Sequence, residues 1–244
     1  MNFREIPKFI INLEKRTDRL SKVEKEMSYI GWEYELFKGV DENSYVGCSK
    51  SHLGVIEIAK ERGYPMVMVL EDDIRFMPYA KTLLEKIEHQ CKNLAFGIFN
   101  LAPTLDRPIN VSQQYDLLLD MTNLPEKKDY HRDIYGGNMV IYHESIYDIM
   151  LGIKEHPSPF YYPIDEYAFR FVIQEYQSYC PILPIAPQAN DYSNIENSDR
   201  STFYLQTYNW NGYSPCKIPK EFMDEMRNQK IKEDNTHLEF YYES

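Results

Sequence analysis

The residues best suited to chemistry are Glu71, Asp72 and Asp73, three consecutive carboxylates that close the run P-M-V-M-V-L-E-D-D from Pro65 to Asp73. Adjacent carboxylates repel one another, and an unpaired buried charge is costly. A divalent cation would resolve that conflict, and Mg²⁺ or Mn²⁺ takes oxygen ligands of this kind. Without a cation, the same residues would form a solvated acidic loop whose aspartates help to start a helix near Pro78. The apolar run Met66 to Leu70 that leads into them suits a strand buried on both faces, as in a parallel sheet. Such a strand delivers the carboxylates at its end to the carboxyl edge, where open α/β sheets bind ligands.

The elements that must hold this cluster can be read on either side of it. Pro7 to Leu13 reads as a first strand. Leu20, Val23, Met27 and Ile30 then recur at helical spacing, and Gly31 stops that helix. Glu33 to Gly39 alternates as a second strand. A helix is expected from about Ser49 to Arg62, with Leu53, Ile56 and Ala59 inward and Gly63 at its end. Strand, helix, strand, helix, strand is the pattern of a parallel sheet. Beyond the acidic cluster the pattern predicts a helix over 78–92, a strand over 94–101 and a long loop with short strands over 102–133. It then predicts a strand over 135–142 beginning at the Gly136–Gly137 pair, and a helix over 144–154. An aromatic loop over 157–163, a helix over 165–175, a short strand over 180–185 and a terminal helix over 219–232 complete it. No repeat, low-complexity tract or linker interrupts the 244 residues, so one domain is expected.

The formal net charge of -11 excludes bulk attraction to nucleic acid. A phosphate ester would need a metal or local basic residues to offset that field. No apolar segment reaches membrane-spanning length, and Met1 to Arg4 does not open a signal peptide. The four cysteines, Cys48, Cys91, Cys180 and Cys216, are widely spaced with no CxxC, against a zinc motif or a disulfide framework. A reducing, cytoplasmic setting is the expectation. The 21 tyrosines and 12 phenylalanines include faces on which a sugar ring could stack.

Together the motifs resemble glycosyltransferase family 25, the group of bacterial lipooligosaccharide and collagen galactosyltransferases. The resemblance rests on I-I-N-L-E-K-R-T-D-R from Ile10 to Arg19, G-C-S-K-S-H from Gly47 to His52 and V-L-E-D-D from Val69 to Asp73. Looser matches are G-G-N-M-V-I-Y at 136–142, P-I-D-E at 163–166 and P-Q-A-N-D-Y-S-N-I at 187–195. It implies a GT-A-like, Rossmann-type single domain with a mostly parallel central sheet. Residues 1–101 would form the nucleotide-sugar half, 102–218 the acceptor half and 219–244 a helix and tail. It also implies a UDP-sugar donor, a glycan or glycoprotein acceptor and Mn²⁺ (or Mg²⁺).

Glu71 and Asp73 are spaced like the D-x-D motif of that fold, with Glu in the first place, and are the expected metal ligands. Gln188, Asp191 and Ser193 are candidates for a third ligand. Arg16 and Arg19, at the end of the first strand, would offset phosphate charge or pair with Glu14 or Asp18. Asn12 and Leu13 would lie near the base, and Asp41 near the ribose or in an ordinary turn. Ser49, Lys50, Ser51 and His52 are expected at a helix start, where backbone N–H groups favour anions. There Ser51 and His52 would bond a sugar hydroxyl or brace the acidic cluster; Asp72 and Asn138 complete the donor set. Cys48 is expected to pack beneath the site.

The reaction implied is transfer of galactose or glucose, with inversion, to an acceptor hydroxyl. Asp165 is the first choice of base and Glu166 the second. Asp165 would otherwise serve as a helix N-cap. The rival readings are a metal-dependent nucleotidyltransferase or phosphohydrolase, and a non-catalytic glycan-binding descendant of the fold.

Overall fold

The computed structural model describes residues 1–42, 45–77, 79–105, 117–122, 134–173, 175–181, 185–186, 188, 191–193 and 198–200. The expected terminal helix over 219–232 and its tail lie outside them. Strand β1 (Lys8–Asn12) is buried along its whole length. Helix α1 (Thr17–Ile30) comes next, and Gly31 ends it in the left-handed region at φ 74°. Strand β2 (Glu35–Lys38) is mostly exposed and carries charge at both ends, as an edge strand should. Helix α2 (Tyr45–Glu61) leads to β3 (Met66–Glu71), whose interior residues are all buried.

Both β2 and β3 pair parallel with β1, one on each side. The crossovers to β2 and to β3 run in opposite directions across the sheet, and crossovers of the usual right hand would put α1 and α2 on opposite faces. That layering accounts for the unbroken apolar run of β3.

Helix α3 (Ala80–Gln90) buries Leu83, Leu84 and Ile87. The remaining strands are β4 (Ile98–Asn100), β5 (Thr104–Leu105), β6 (Leu118–Asp120), β7 (Ile134–Tyr135), β8 (Met139–His143), β9 (Ser178–Pro181), β10 (Asp191–Ser193) and β11 (Ser198–Arg200). Helices α4 (Tyr147–Leu151) and α5 (Ile164–Phe171) lie between β8 and β9. The main sheet has seven strands in the order β2-β1-β3-β8-β4-β9-β6. Strands β2, β1, β3, β4 and β9 run one way, and β8 and β6 the other. This is the mixed α/β, mostly parallel sheet expected. Among the described residues, no helix is long and apolar enough to cross a membrane.

Four local expectations are corrected. Helix α2 begins at Tyr45, not near Ser49. Its first turn was hidden by Gly47, a weak helix former, which is required because a Cβ there would stand 2.5 Å from the Val40 carbonyl oxygen and 2.8 Å from that of Glu42. The strand expected over 135–142 is two strands: β7 pairs with β5, and β8 with β3 and β4. Gly136, at φ 92°, turns the chain between them. The helix expected over 144–154 is a short α4 flanked by 3₁₀ turns. The strand expected over 180–185 lies at Ser178–Pro181.

Candidate active site

One edge of the sheet collects the polar residues. The carboxyl ends of β1, β3 and β4 carry Asn12, Glu71 and Asn100. Antiparallel β8 starts at the same edge, where Met139 pairs with Leu70 and the Asn138 carbonyl accepts the Glu71 N–H at 2.9 Å.

The three carboxylates have different partners. Both oxygens of Asp72 are engaged: Arg19 Nη1 donates to Oδ1 at 3.0 Å and Asn12 Nδ2 to Oδ2 at 2.7 Å. Arg19 also donates to Asp73 Oδ2 at 3.1 Å, and Gln188 Nε2 lies 3.5 Å from the same oxygen. Asp73 Oδ1 is buried with no hydrogen-bond partner among the described residues, as is Asn138 Oδ1. Glu71 Oε1 faces His52 Nε2 at 3.3 Å and accepts from Cys48 Sγ at 3.4 Å. His52 is fully buried, and its Nδ1 lies 3.1 Å from the Tyr142 hydroxyl.

These partners set the acidities. Burial, then the Glu71 charge, pushes the Asp73 carboxyl up to about 7, against the pull of Arg19. Burial also raises Asp72, with Arg19 and Asn12 opposing. Burial would raise Glu71 too, but the His52 bond and charge, with Cys48 and Arg19, hold it below the ordinary carboxylate value. A buried, crowded set of oxygen donors with an orphaned Asp73 Oδ1 is chemically suited to a hard divalent cation.

Asp165 stands across the Gly136–Gly137 turn from this cluster. Its Oδ2 accepts the Gly136 N–H at 3.0 Å and its Oδ1 the Glu166 N–H at 2.9 Å. Asn100 Nδ2 holds the Gly136 carbonyl at 2.8 Å. A small cavity there is lined by Asn100, Gly136, Gly137, Tyr142 and Asp165, among others. A Cβ on Gly137 would lie 3.9 Å from Glu71 Oε1, so the same turn also borders Glu71. Pro163 holds the N-cap position of α5, so Asp165 lies inside the first turn and the cap reading is corrected. Glu166 accepts from Arg170 one turn on, at 2.8 and 3.0 Å.

The other expected donor residues have partners of their own. Arg16 grips Asp18 through two bonds of 2.9 Å, while Arg19 is buried as the brace of the acidic loop. Asp41 pairs with Lys15 at 2.7 Å on the surface. Lys50 pairs with Glu42 at 2.5 Å and lies 5.5 Å from the Phe160 ring centre. Leu13 packs beside Gly39, 3.2 Å from where a Cβ would be.

Ser49, Lys50, Ser51 and His52 lie in the second turn of α2, so the helix-start anion site expected for them is corrected. Ser49 Oγ accepts the Ile164 N–H at 3.1 Å, and Ser51 Oγ accepts the Val40 N–H at 2.8 Å. Ser51 is therefore committed to the backbone, and of the pair only His52 braces the cluster. Gln188 adjoins the acidic loop through a bridge with Ile74. The side chains of Asp191 and Ser193 lie outside the described residues.

Sequence reasoning missed Tyr142, Asn100 and the part played by Cys48. For Cys48 a signal was present: C-x-x-x-H puts both residues on one face of a helix.

Residues 43–150, which carry Cys48, His52 and the acidic cluster, match the model of glycosyltransferase family 25 (LPS biosynthesis protein). A Drosophila melanogaster relative named as a glycosyltransferase 25 family member is 30% identical over 36% of this chain. The chain spans 19% of that relative's length. Among solved structures, a glycosyltransferase involved in glycosylation of the major capsid of PBCV-1 is 11% identical, covering 79% of this chain and 96% of its own, with a TM-score of 0.47.

Proposed function

We propose that this chain is a metal-dependent glycosyltransferase that moves a hexose, galactose before glucose, from a UDP-sugar to a hydroxyl of a glycan or glycoprotein, with inversion. The observation that carries the proposal is one of position. Glu71 and Asp73 stand at the carboxyl edge within the residues that match the family 25 model, and Asp165 holds the glycine turn that lies beside Glu71.

Glu71 and Asp73 would hold Mn²⁺ or Mg²⁺, with Gln188 beside them. The ion supplies Lewis-acid stabilisation of the diphosphate leaving group. Arg19 and Asn12 fix Asp72, and Arg19 also holds Asp73, so the acidic loop is braced from the β1–α1 side. His52 aims the Glu71 carboxylate. Asp165 takes the proton of the acceptor hydroxyl, with its carboxylate aimed by the Gly136 and Glu166 N–H groups. The exposed Tyr161 ring, in the loop that leads into the helix of that base, would offer the acceptor a stacking face.

The test is UDP release from a panel of UDP-sugars, with and without Mn²⁺, and then an acceptor screen. The expected result is release that needs both metal and acceptor. Nucleotide turnover without acceptor would favour a phosphohydrolase. Glycan binding with no release from any donor would favour a non-catalytic descendant.

A further inference from the structure

Cys48, His52 and Glu71 form a second, chemically distinct cluster beside the acidic loop. Cys48 and His52 are four residues apart on α2, hence on one face. Their Sγ and Nε2 atoms and Glu71 Oε1 all lie within 4.8 Å of one another. The two separations to Oε1 are 3.4 and 3.3 Å. Zinc ligands about 2.0–2.3 Å from a tetrahedral ion stand roughly 3.4–3.6 Å apart.

We propose that this trio binds one thiophilic divalent cation, of which Zn²⁺ is the type. Three features support it beyond the spacing. First, His52 is held at its far nitrogen: Nδ1 meets the Tyr142 hydroxyl at 3.1 Å, and the rings cross at 87° with centres 6.1 Å apart. A hydrogen-bonded second nitrogen is how ligand histidines are oriented, and here it turns Nε2 towards Glu71. Second, the glycine turn brings no side chain against this face: a Cβ on Gly137 would make ordinary contact with the His52 ring at 3.5 Å and with Glu71 Oε1 at 3.9 Å, and a fourth ligand such as water would take the place that the missing side chain leaves. Third, the charges balance: a thiolate and a carboxylate neutralise a divalent ion. Binding releases the Cys48 thiol proton to solvent. The sulfur ligand separates this site from the oxygen-only set that suits Mn²⁺ or Mg²⁺. The two sites share Glu71, but the cation proposal does not depend on sugar transfer.

Co²⁺ is the probe. Added to the full, reduced and metal-stripped chain, one equivalent should give a thiolate-to-metal charge-transfer band with the visible bands of a four-coordinate ion. Zn²⁺ should abolish both. Cys48→Ser and His52→Ala should lose the band, and Zn²⁺ affinity measured against a chromophoric chelator should fall at least about tenfold. Tyr142→Phe, which keeps the ring, should weaken Zn²⁺ binding by about 10–100-fold if it orients His52. The band's absence in the parent chain, or its survival in Cys48→Ser, overturns the proposal. Asp73→Asn should keep the Co²⁺ band while losing Mn²⁺-dependent UDP binding, so each of the two readings can fail without the other.

Discussion

At the residue scale, Asp165 and Asp73 carry the proposed chemistry in different ways. Each oxygen of Asp165 already accepts a backbone N–H. Asparagine at 165 must turn its amide towards one of those donors. Asp165→Asn should therefore lose about 1–3 kcal/mol of stability and slow transfer by about 10²–10⁴, with UDP–Mn²⁺ affinity unchanged. Thermal melting, calorimetry and turnover on the folded variant separate these effects, and normal turnover would leave Asp165 as a clamp on Gly136 alone. Asp73 is the opposite case. Its carboxyl is pushed up to about 7, so the charged form costs stability as pH rises from the unfolded value towards 7. Asp73→Asn should melt no lower than the parent at pH 8 without metal, and should lose the upward shift that Mn²⁺ gives the parent. An equal Mn²⁺ shift in both proteins would place the ion elsewhere. The acidic trio was legible because it ends an apolar run, and Arg19 because it comes after β1. That Arg19 faces inward to Asp72 and Asp73 was not, since sequence spacing does not show a contact 53 residues away.

At the scale of elements, the first three strands and two helices were legible from period and punctuation. Gly31 and Gly63 ended their helices, and the apolar run marked β3. The errors came where tertiary contacts outweigh local preference. The start of α2 is set by the Val40 and Glu42 backbone pressed against Gly47. The break between β7 and β8 is set by Asn100 and Asp165, which hold Gly136 from both sides. Helix α1 gives a further test of how a charged residue is carried inside. Glu26 is buried and its Oε2 accepts the Phe76 N–H at 2.8 Å. Burial, against that bond and Arg75, pushes its carboxyl up to about 7 from an ordinary 4.5. A raised carboxyl favours the fold while protonated in both states, and that advantage is lost as pH climbs from about 4.5 through 7. Glu26→Gln keeps an acceptor for Phe76 and removes the charge. It should be more stable than the parent by about 1–3 kcal/mol at pH 8, with the gap closing below pH 4.5. Urea unfolding at both pH values checks this, and a pH-independent difference would show that Glu26 is not charged by titration in this range.

At the scale of the whole molecule, an acidic protein is proposed to bind an acidic donor. The net charge is -11, and the cations that sequence offered for the phosphates are engaged elsewhere. Arg19 is buried against Asp72 and Asp73, Arg16 grips Asp18, and Lys50 holds Glu42. Surface pairs such as the last two are individually weak, but each would have to be exchanged before its cation met a phosphate. The overall field repels the nucleotide over roughly a Debye length, about 8–10 Å at ordinary ionic strength. A bound divalent ion would offset the negative charge at the carboxyl edge and would supply a bridge that Arg16, Arg19 and Lys50 do not supply in their present pairings. Chelation with EDTA should therefore weaken UDP binding by at least about tenfold, or ~1.4 kcal/mol. The loss should be greater at low salt, where the acidic surface is least screened. Calorimetric titration of UDP at two ionic strengths, with Mn²⁺ and with EDTA, makes the comparison. Equal affinity in EDTA would mean that Arg16, Arg19 or Lys50 leaves its present partner to hold the diphosphate, and the carboxylates at the end of β3 would then need a role other than metal binding.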